Sequence, residues 1–295
     1  MNKSFLLVGT VSNVQKGLIS DLSRIERAIG QLGDLEIFLV ESDSTDATLT
    51  TLENLSLETP GFGFKSFGNL KAKYPKRTER IRFCRNAYVD YIQTNLQQRK
   101  WDYVIVADLD GMNSAITEKR IVKSLKRENE WDVCFANQTL GYYDLYALRA
   151  DNWVEQDCFE ELKELQQVNV LRKKYRNPFL DFLSAFLHFD RMRRKVIYKR
   201  MKRLKGDLIP VKSAFGGFGI YKPAIFEKIN YSKSDLGGIS DCEHLDLHHK
   251  CLQYGFRLVI DPRLINNHIN VYNLNKFTIV RFLREYRKYR SRISN

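Results

Sequence analysis

The segment Tyr103–Asp110 reads YVIVADLD, five apolar residues followed by two aspartates that flank a leucine. An uninterrupted apolar run of this length is typical of a strand buried in the middle of a parallel sheet. Because side chains of an extended chain alternate between faces, Asp108 and Asp110 point to the same side where the strand ends. The segment therefore predicts an α/β sheet with a pair of carboxylates at its carboxyl edge.

Strand and helix patterns alternate around this segment over the first 150 residues, as expected for parallel strands joined by helical crossovers. We predict strands at 5–11, 35–40, 103–107 and 132–136, helices at 18–32, 48–57 and 77–96, and a short strand or loop at 61–68. Later in the chain we predict a strand at 213–221, a helix at 242–254 and a last strand at 257–261 that ends at Pro262. The fold class is α/β, a Rossmann-like, mostly parallel sheet flanked by helices.

Two further segments combine many Lys and Arg residues with apolar ones. The first predicts a basic helical insertion at about 160–206, and the second a basic amphipathic helix at 276–295. We expect residues 1–275 to form one domain that includes the insertion, followed by the C-terminal helix. The interleaved apolar residues favour an anionic membrane surface as the partner of these segments. No recognised nucleic-acid-binding module is present, so we expect no nucleic-acid partner.

Composition narrows the class of protein. A chain of 295 residues with 43% hydrophobic content can bury a sizeable core, which excludes a disordered protein. The net charge of +13 favours anionic partners. The five cysteines form no CxxC pair, so a reducing, cytoplasmic compartment fits best. No apolar run reaches the roughly 18 to 20 residues of a membrane-spanning helix, so we expect peripheral contact at the inner face of the membrane.

Asp108 and Asp110 carry the first chemical prediction. Paired oxygen ligands at the carboxyl edge of an open α/β sheet suit Mn²⁺ or Mg²⁺ bridging a diphosphate. The alternative interpretation is a pair of acidic residues in a solvated loop.

The segment Glu41–Asp46 follows the second strand and therefore lies at the same edge. Glu41 and Asp43 could accept hydrogen bonds from ribose hydroxyls or base N–H groups of a nucleoside. Ser44 or Thr45 is expected to cap the next helix, with Asp46 in its first turn.

Four arginines and an asparagine lie on the helix that leads into the central strand. The Arg85 guanidinium could offset the charge of a diphosphate or hold the acidic loop in place, and Asn86 would lie beside it near the phosphates. Arg80 and Arg82 are expected to form a solvated basic face.

Glycines occupy three of the four positions 216–219, between aromatic residues. Gly216 and Gly217 would allow close approach of the backbone to a sugar, whereas the alternative is a bulged core strand. The acidic and histidine-rich segment 241–249 suggests a second metal site, but helical amphipathicity explains most of its pattern.

These residues together resemble a known family. Seven segments look, in order, like the blocks of GT-A glycosyltransferases, in particular the fungal capsule α-1,3-mannosyltransferase family and bacterial capsule or lipopolysaccharide transferases. The segments are 41–48, 80–92, 108–110, 143–157, 211–221, 241–251 and 259–267.

The resemblance implies a GT-A fold with a metal site formed by Asp108, Asp110 and His268. It places Asp108 also at the donor, and it places a carboxylate that deprotonates or orients the acceptor hydroxyl at Glu243 or, second, at Asp241. The implied reaction moves a hexose from a UDP- or GDP-linked sugar to a hydroxyl of a capsule- or lipopolysaccharide-type glycan, free or lipid-linked. Retention and inversion of the anomeric configuration both stay open.

Two other classes use similar features. A sugar-phosphate nucleotidyltransferase shares the sheet and the acidic metal ligands, but it usually carries a basic, glycine-rich loop after the first strand, where this chain reads GTVSNV at 9–14. A non-catalytic membrane-surface protein on a transferase-like fold would explain the charge without chemistry.

Overall fold

A computed structural model describes residues 2–139, 142–151, 154–155, 180, 206–232 and 242–268 of the chain. The strands are β1 (Lys3–Val11), β2 (Gly33–Glu41), β3 (Phe62–Ser66), β4 (Tyr103–Ala107), β5 (Val133–Gln138), β6 (Ile209–Pro210), β7 (Phe218–Tyr221) and β8 (Leu258–Asn267). The helices are α1 (Leu18–Ile29), α2 (Thr48–Glu58), α3 (Arg77–Asn95), α4 (Glu118–Leu125), α5 (Ala224–Lys228) and α6 (Glu243–Gln253).

The strands form one eight-stranded sheet in the order β3-β2-β1-β4-β7-β5-β8-β6. Strands β1 to β5 and β8 run in one direction, while β7 is antiparallel to β4 and β5, and β6 is antiparallel to β8. The predicted α/β class with a mostly parallel sheet is therefore confirmed.

Apolar side chains cover both faces of the sheet. On one face, Leu6 and Val8 of β1 belong to a cluster that includes Tyr88 of α3. On the other face, Phe5 and Leu7 pack in a cluster with α1. Burial on both faces explains why β1 reads as a continuous apolar run, and each such side chain contributes roughly 1.5–3 kcal/mol when fully buried.

The parallel register brings the functional segments to one edge. Val11 is paired with Glu41 at the ends of β1 and β2, and Val8 is paired with Val106 one residue before β4 ends. The loops that follow these three strands therefore emerge side by side.

The structure corrects three of the predicted elements. β8 continues through Pro262 to Asn267, because the pairing with β5 shifts register between Phe135 and Asn137 and the bulge accommodates a residue without an N–H. In 213–221 only Phe218–Tyr221 is a strand, since two residues before it have positive φ. The first helix ends at Ile29, three residues earlier than predicted.

Both predicted basic segments lie outside the described residues, apart from Leu180 and Gly206. Among the helices that are described, none is long and apolar enough to cross a membrane.

Candidate functional site

Loops at the carboxyl edge of the sheet enclose a cavity of about 700 Å³, which we call the edge cavity. Segments 10–14 and 42–43, which follow β1 and β2, line one end. Segment 108–110, after β4, and side chains of α3 line the middle. Segments 143–146 and 242–244 with Phe215 line the other end. From one end of the cavity to the other, the lining segments thus follow the order of the strands in the sheet.

The loop that carries the two aspartates is held by backbone contacts. The amide of Asp108 donates to the carbonyl of Gly217 (3.0 Å). Asp21 of α1 is fully buried and accepts hydrogen bonds from the amides of Gly111 (2.8 Å) and Asn113 (3.3 Å). The loop is thus fixed by the neighbouring strand β7 and by α1. Carboxylates that are already ordered lose little conformational entropy when a ligand binds.

Burial raises the pKa of the Asp108 carboxyl to about 7, an effect that Arg85 opposes and that Asp110, Asp144 and Glu243 increase. Asp110 is exposed to solvent, yet the protein atoms around its carboxyl partly desolvate it and raise its pKa as well. The cavity therefore concentrates negative charge that the protein's own cations only partly offset.

This charge predicts a pH-dependent stability. A carboxyl whose pKa rises on folding stabilises the fold below pH 3.8, and that contribution is lost as the pH rises through about 7. In metal-free buffer, Asp108→Asn should therefore gain melting temperature relative to the unchanged chain between pH 5 and pH 8. Asp144, whose pKa is raised to about 6, and the buried histidines are present in both proteins, so the difference between the two melting curves reports the charge of Asp108. Parallel curves across this range would contradict the prediction.

Arg85 connects the middle of the cavity with its far end. Its side chain is buried, its Nε donates to Glu243 Oε1 (3.0 Å), and its Nη2 lies 3.8 Å from Asp108 Oδ1. Its Nη1 donates to the Tyr88 hydroxyl (3.2 Å). The sequence left open whether Arg85 binds a diphosphate or holds the acidic residues. In the structure Arg85 bonds to Glu243 and lies beside Asp108, and its side chain also lines the cavity.

The far end of the cavity combines carboxylates with a buried imidazole. Glu243 opens α6, and Asp144 has its pKa raised to about 6, chiefly by burial. His244 stacks on Phe215 with ring centroids 4.1 Å apart. Both of its ring nitrogens are buried and lack a hydrogen-bond partner among the described residues. Burial lowers the pKa of His244 well below its usual value, so the neutral ring offers one donor and one acceptor to a ligand.

The opposite end contains two residues in the left-handed region, Asn13 (φ 55°) and Asp43 (φ 59°). Asn13 Oδ1 accepts hydrogen bonds from the amides of Thr45 (2.8 Å) and Asp46 (3.2 Å). Asp43 accepts from the amide of Lys71 (2.8 Å) and pairs with Arg80 (3.3 Å). Unusual backbone angles fixed by such contacts are common at ligand-binding sites.

Four predicted donor-binding residues do not line the cavity, although they support it. Glu41 is buried and bonds to the Ser44 amide (2.9 Å) and the Ser66 hydroxyl, so it shapes the loop that carries Asp43. The side chain of Asn86 accepts a hydrogen bond from the amide of Tyr231 (2.8 Å). The others are the glycines at 216 and 217, described next.

Gly216 and Gly217 have φ of 68° and 78°, which L side chains rarely adopt. A Cβ on Gly216 would lie 2.6 Å from the carbonyl oxygen of Ala136. Since the carbonyl of Gly217 receives the Asp108 amide, this turn positions the aspartate pair.

His268 does not lie with the two aspartates. It lines a second cavity of about 580 Å³, which we call the basic cavity. Its Nδ1 is 2.6 Å from Thr139 Oγ1, and its Nε2 is 3.4 Å from Arg120 Nη2. The lining consists of Ser114, Ala115, Thr117, Lys119, Arg120, Lys123, Arg263 and His268. Asp241, the second predicted acceptor carboxylate, lies outside the described residues.

Two local predictions on the helices are wrong. Arg80 and Arg82 do not form a solvated face, because they pair with Asp43 (3.3 Å) and Asp246 (2.6 Å) and are mostly buried. Neither Ser44 nor Thr45 caps α2, whose N-cap is Ala47 without a side-chain bond; Asp46 instead accepts from the Thr48 amide (3.0 Å).

Sequence reasoning missed two acidic residues. Asp144 follows β5 within the segment GYYD, and its place after a strand end was the available signal. Asp21 sits on α1 among apolar neighbours, and no local pattern indicates its bonds to a loop 90 residues away.

Asp108 and Asp110 fit a divalent cation. Mg²⁺ is usually held by one or two carboxylates together with substrate phosphates and water, and Mn²⁺ accepts the same ligands. Across the described ranges, no group of three or more His, Cys, Asp or Glu side chains forms a metal site by itself. Burial raises the pKa of both carboxyls, and a bound cation would favour their ionised forms. With two carboxylates from the protein, such an ion would take its other ligands from a phosphate and water.

Comparison with known proteins gives a fold but no family. No family model matches the chain. No curated protein matches it either. The solved structure of GalNAc-T7 with UDP, GalNAc and Mn²⁺ has a TM-score of 0.50 at 15% identity, covering 91% of this chain and 44% of that one. At this identity the fold is what the two share, and it is the mixed α/β fold of GT-A glycosyltransferases.

Two other solved structures are less similar. TarS residues 1–349 from S. aureus has a TM-score of 0.43 at 12% identity, covering 93% of this chain and 63% of that one. The mannosyltransferase PcManGT from Pyrobaculum calidifontis, with GDP-Man and Mn²⁺, has 0.45 at 12%, covering 91% and 57%. This chain thus spans less than two thirds of the length of each of these proteins.

Proposed function

We propose that the chain is a metal-dependent glycosyltransferase that binds a nucleoside diphosphate sugar in the edge cavity. One observation carries the proposal: the loops after β1, β2, β4 and β5, together with α3 and the start of α6, bring an aspartate pair, arginines and a polar far end into a single cavity. The carboxyl edge of an open α/β sheet is where such folds bind nucleotides. The similarity to GalNAc-T7, which was solved with UDP, GalNAc and Mn²⁺, supports the same class of ligand.

The order of the segments that line the edge cavity suggests where each part of the donor would bind. The nucleoside would lie against segments 10–14 and 42–43, where Asp43 can accept hydrogen bonds. The diphosphate would lie beside Asp108 and Asp110, which would hold Mn²⁺ or Mg²⁺. That ion supplies a positive charge that stabilises the departing diphosphate.

Arg77 is the cation best placed for the diphosphate. It lines the cavity, is exposed, and within the described part of the chain has no carboxylate partner within ion-pair distance. By contrast, Arg80 and Arg85 are occupied by Asp43 and Glu243. A free guanidinium can bind phosphate oxygens through two parallel hydrogen bonds.

The hexose would lie at the far end, where the unpartnered nitrogens of His244 can bond to hydroxyls. The acceptor hydroxyl must be oriented or deprotonated at the same end, and Glu243 and Asp144 are the carboxylates there. Arg85 fixes the orientation of Glu243. The pKa of Asp144, raised to about 6, suits a base that works near neutral pH.

The acceptor is proposed from the sequence alone. Resemblance to capsule and lipopolysaccharide transferases suggests a surface glycan. The basic segments at about 160–206 and 276–295 suggest that the enzyme works at an anionic membrane surface.

The loop after β1 separates this proposal from a nucleotidyltransferase. Its residues 10–14 line the edge cavity and include no Lys or Arg, and Lys16, the cation of this loop, is not among the described lining residues. A nucleotidyltransferase would need cations there for a triphosphate.

The proposal is tested by incubating the protein with UDP- and GDP-linked hexoses and Mn²⁺ and measuring release of the nucleoside diphosphate. We expect release from one donor class, loss of release after EDTA, and recovery with added Mn²⁺. Release of pyrophosphate from a nucleoside triphosphate and a sugar phosphate, without release from any sugar nucleotide, would overturn it in favour of a nucleotidyltransferase. Absence of both reactions would favour a non-catalytic binding protein.

A further inference from the structure

The basic cavity has an unusual balance of charge. Its lining includes Lys119, Arg120, Lys123 and Arg263, together with two hydroxyls and the imidazole of His268. Among the described residues, the lining includes no carboxylate. The edge cavity has the opposite character, with five acidic side chains among its lining. Two cavities of opposite charge on one chain suit ligands that differ in kind.

Of the four cations, one has a carboxylate within ion-pair distance in the part of the chain that the structure describes. Arg263 Nε lies 3.1 Å from Asp261 Oδ1, and the fully buried Asp261 also accepts a hydrogen bond from Ser124 (2.8 Å). Within the described residues, Lys119, Arg120 and Lys123 have no carboxylate within ion-pair distance. About three positive charges are therefore left in the cavity.

Lys119 and Lys123 lie four residues apart on α4, so their side chains project from the same face. Like charges at this spacing destabilise a helix slightly, and both lysines are exposed. This repulsion slightly destabilises α4 in the ligand-free protein, and an anion bound between the two lysines would relieve it.

Arg120 is held in place beside them. Its Nη1 donates to the carbonyls of Ala115 and Ile265, and its Nη2 lies 3.4 Å from His268 Nε2. His268 is in turn fixed by the Thr139 hydroxyl (2.6 Å). A guanidinium held by two carbonyls loses little conformational freedom when it binds a ligand.

From this geometry we infer that the basic cavity is a binding site for a phosphate group of a second ligand, distinct from the nucleotide. A phosphate monoester carries about 1.5 to 2 negative charges at pH 7 and three strong acceptor oxygens, which match the unpaired cations and the hydroxyls of Ser114 and Thr117. No residue lines both cavities. The loop 108–117 contributes to each, so the phosphate would be bound on the far side of the loop that carries the aspartate pair.

The test measures phosphate binding without any divalent metal, so that its outcome does not depend on the edge cavity. Calorimetry with inorganic phosphate and with glycerol 3-phosphate is carried out in EDTA at constant ionic strength. Co-sedimentation with phosphatidylcholine vesicles containing phosphatidic acid presents the same group on a lipid. The variant is Lys119→Gln/Lys123→Gln, and the matched control is Lys100→Gln/Lys228→Gln, two exposed lysines that line neither cavity.

We expect saturable binding that is at least tenfold weaker in the Lys119/Lys123 variant and unchanged in the control, because each charged contact typically accounts for about a tenfold change in affinity. Binding of the soluble probes identifies a soluble phosphorylated compound as the source of the phosphate, and variant-sensitive binding of vesicles alone identifies a lipid headgroup. If no probe binds, or if both double variants lose binding equally, the inference is wrong. A variant that melts as the unchanged chain does confirms that the fold is retained.

Discussion

The Asp110→Asn variant is expected to turn over its donor about a thousandfold more slowly than the unchanged chain, while melting at about the same temperature. A divalent ion stabilises developing charge by several kcal/mol, and about 4 kcal/mol corresponds to three orders of magnitude in rate. Asn keeps the shape of the side chain but is a much weaker ligand for a hard cation. Asp110 is exposed, so its replacement removes little packing.

A matched control is available at the other edge of the sheet. Asp34 is exposed at the start of β2, opposite the edge cavity, and Asp34→Asn changes the net charge by the same amount. Steady-state turnover and thermal melting are measured for both variants. Equal turnover of the two variants would show that turnover does not need the Asp110 carboxylate, and unfolding of Asp110→Asn would assign Asp110 a structural role instead.

The Arg85→Met variant is expected to lose about 3–5 kcal/mol of stability, the range measured when one partner of a buried ion pair is removed. Arg85 and Glu243 are both buried and lie 3.0 Å apart, so the variant leaves a carboxylate without its counter-ion. Asp108 and Asp144, whose pKa values Arg85 holds down, lose the same compensation. Urea unfolding measures the loss.

The second variant in this experiment is Glu243→Gln. If an uncompensated charge causes the instability, Arg85→Met should cost much less in the Glu243→Gln background, since the residues are in contact and their effects are not additive. A loss below about 1 kcal/mol for Arg85→Met alone, or the same loss in both backgrounds, would mean that Arg85 contributes through packing and not through charge.

Local sequence patterns were sufficient for the elements that decide the fold. β4 was predicted at Tyr103–Ala107 and has those bounds, because a strand buried on both faces must be apolar throughout. The two aspartates follow from the same segment, since the end of a parallel strand fixes where the next side chains lie.

The reversed strand β7 could not be predicted in the same way. It follows a turn at Gly216 and Gly217, which both have positive φ, and it pairs antiparallel to β4. The sequence indicates that glycines can adopt such angles, but not that the chain turns there. The outcome depends on the strands it pairs with, β4 and β5, both distant in sequence.

Charged side chains were the least predictable part of the site. Arg82 and Asp246 are 164 residues apart and form a close ion pair that no local pattern indicates. The chain order placed His268 after the last strand, and the end of β8 does contact the loop after β4, since Asn267 donates to the carbonyl of Gly111 (3.1 Å). The His268 side chain, however, lies beside Thr139 and Arg120 in the basic cavity.

The most direct test of the proposed donor site is calorimetric titration of UDP, GDP and CMP into the protein, each with and without Mn²⁺, and into Asp110→Asn and Asp34→Asn. We predict that one nucleoside diphosphate binds only when Mn²⁺ is present, that Asp110→Asn abolishes this binding, and that Asp34→Asn leaves it intact. Binding that is indifferent to both Mn²⁺ and Asp110, or absence of binding by all three nucleotides, would contradict the assignment of the edge cavity to a metal-bound sugar nucleotide.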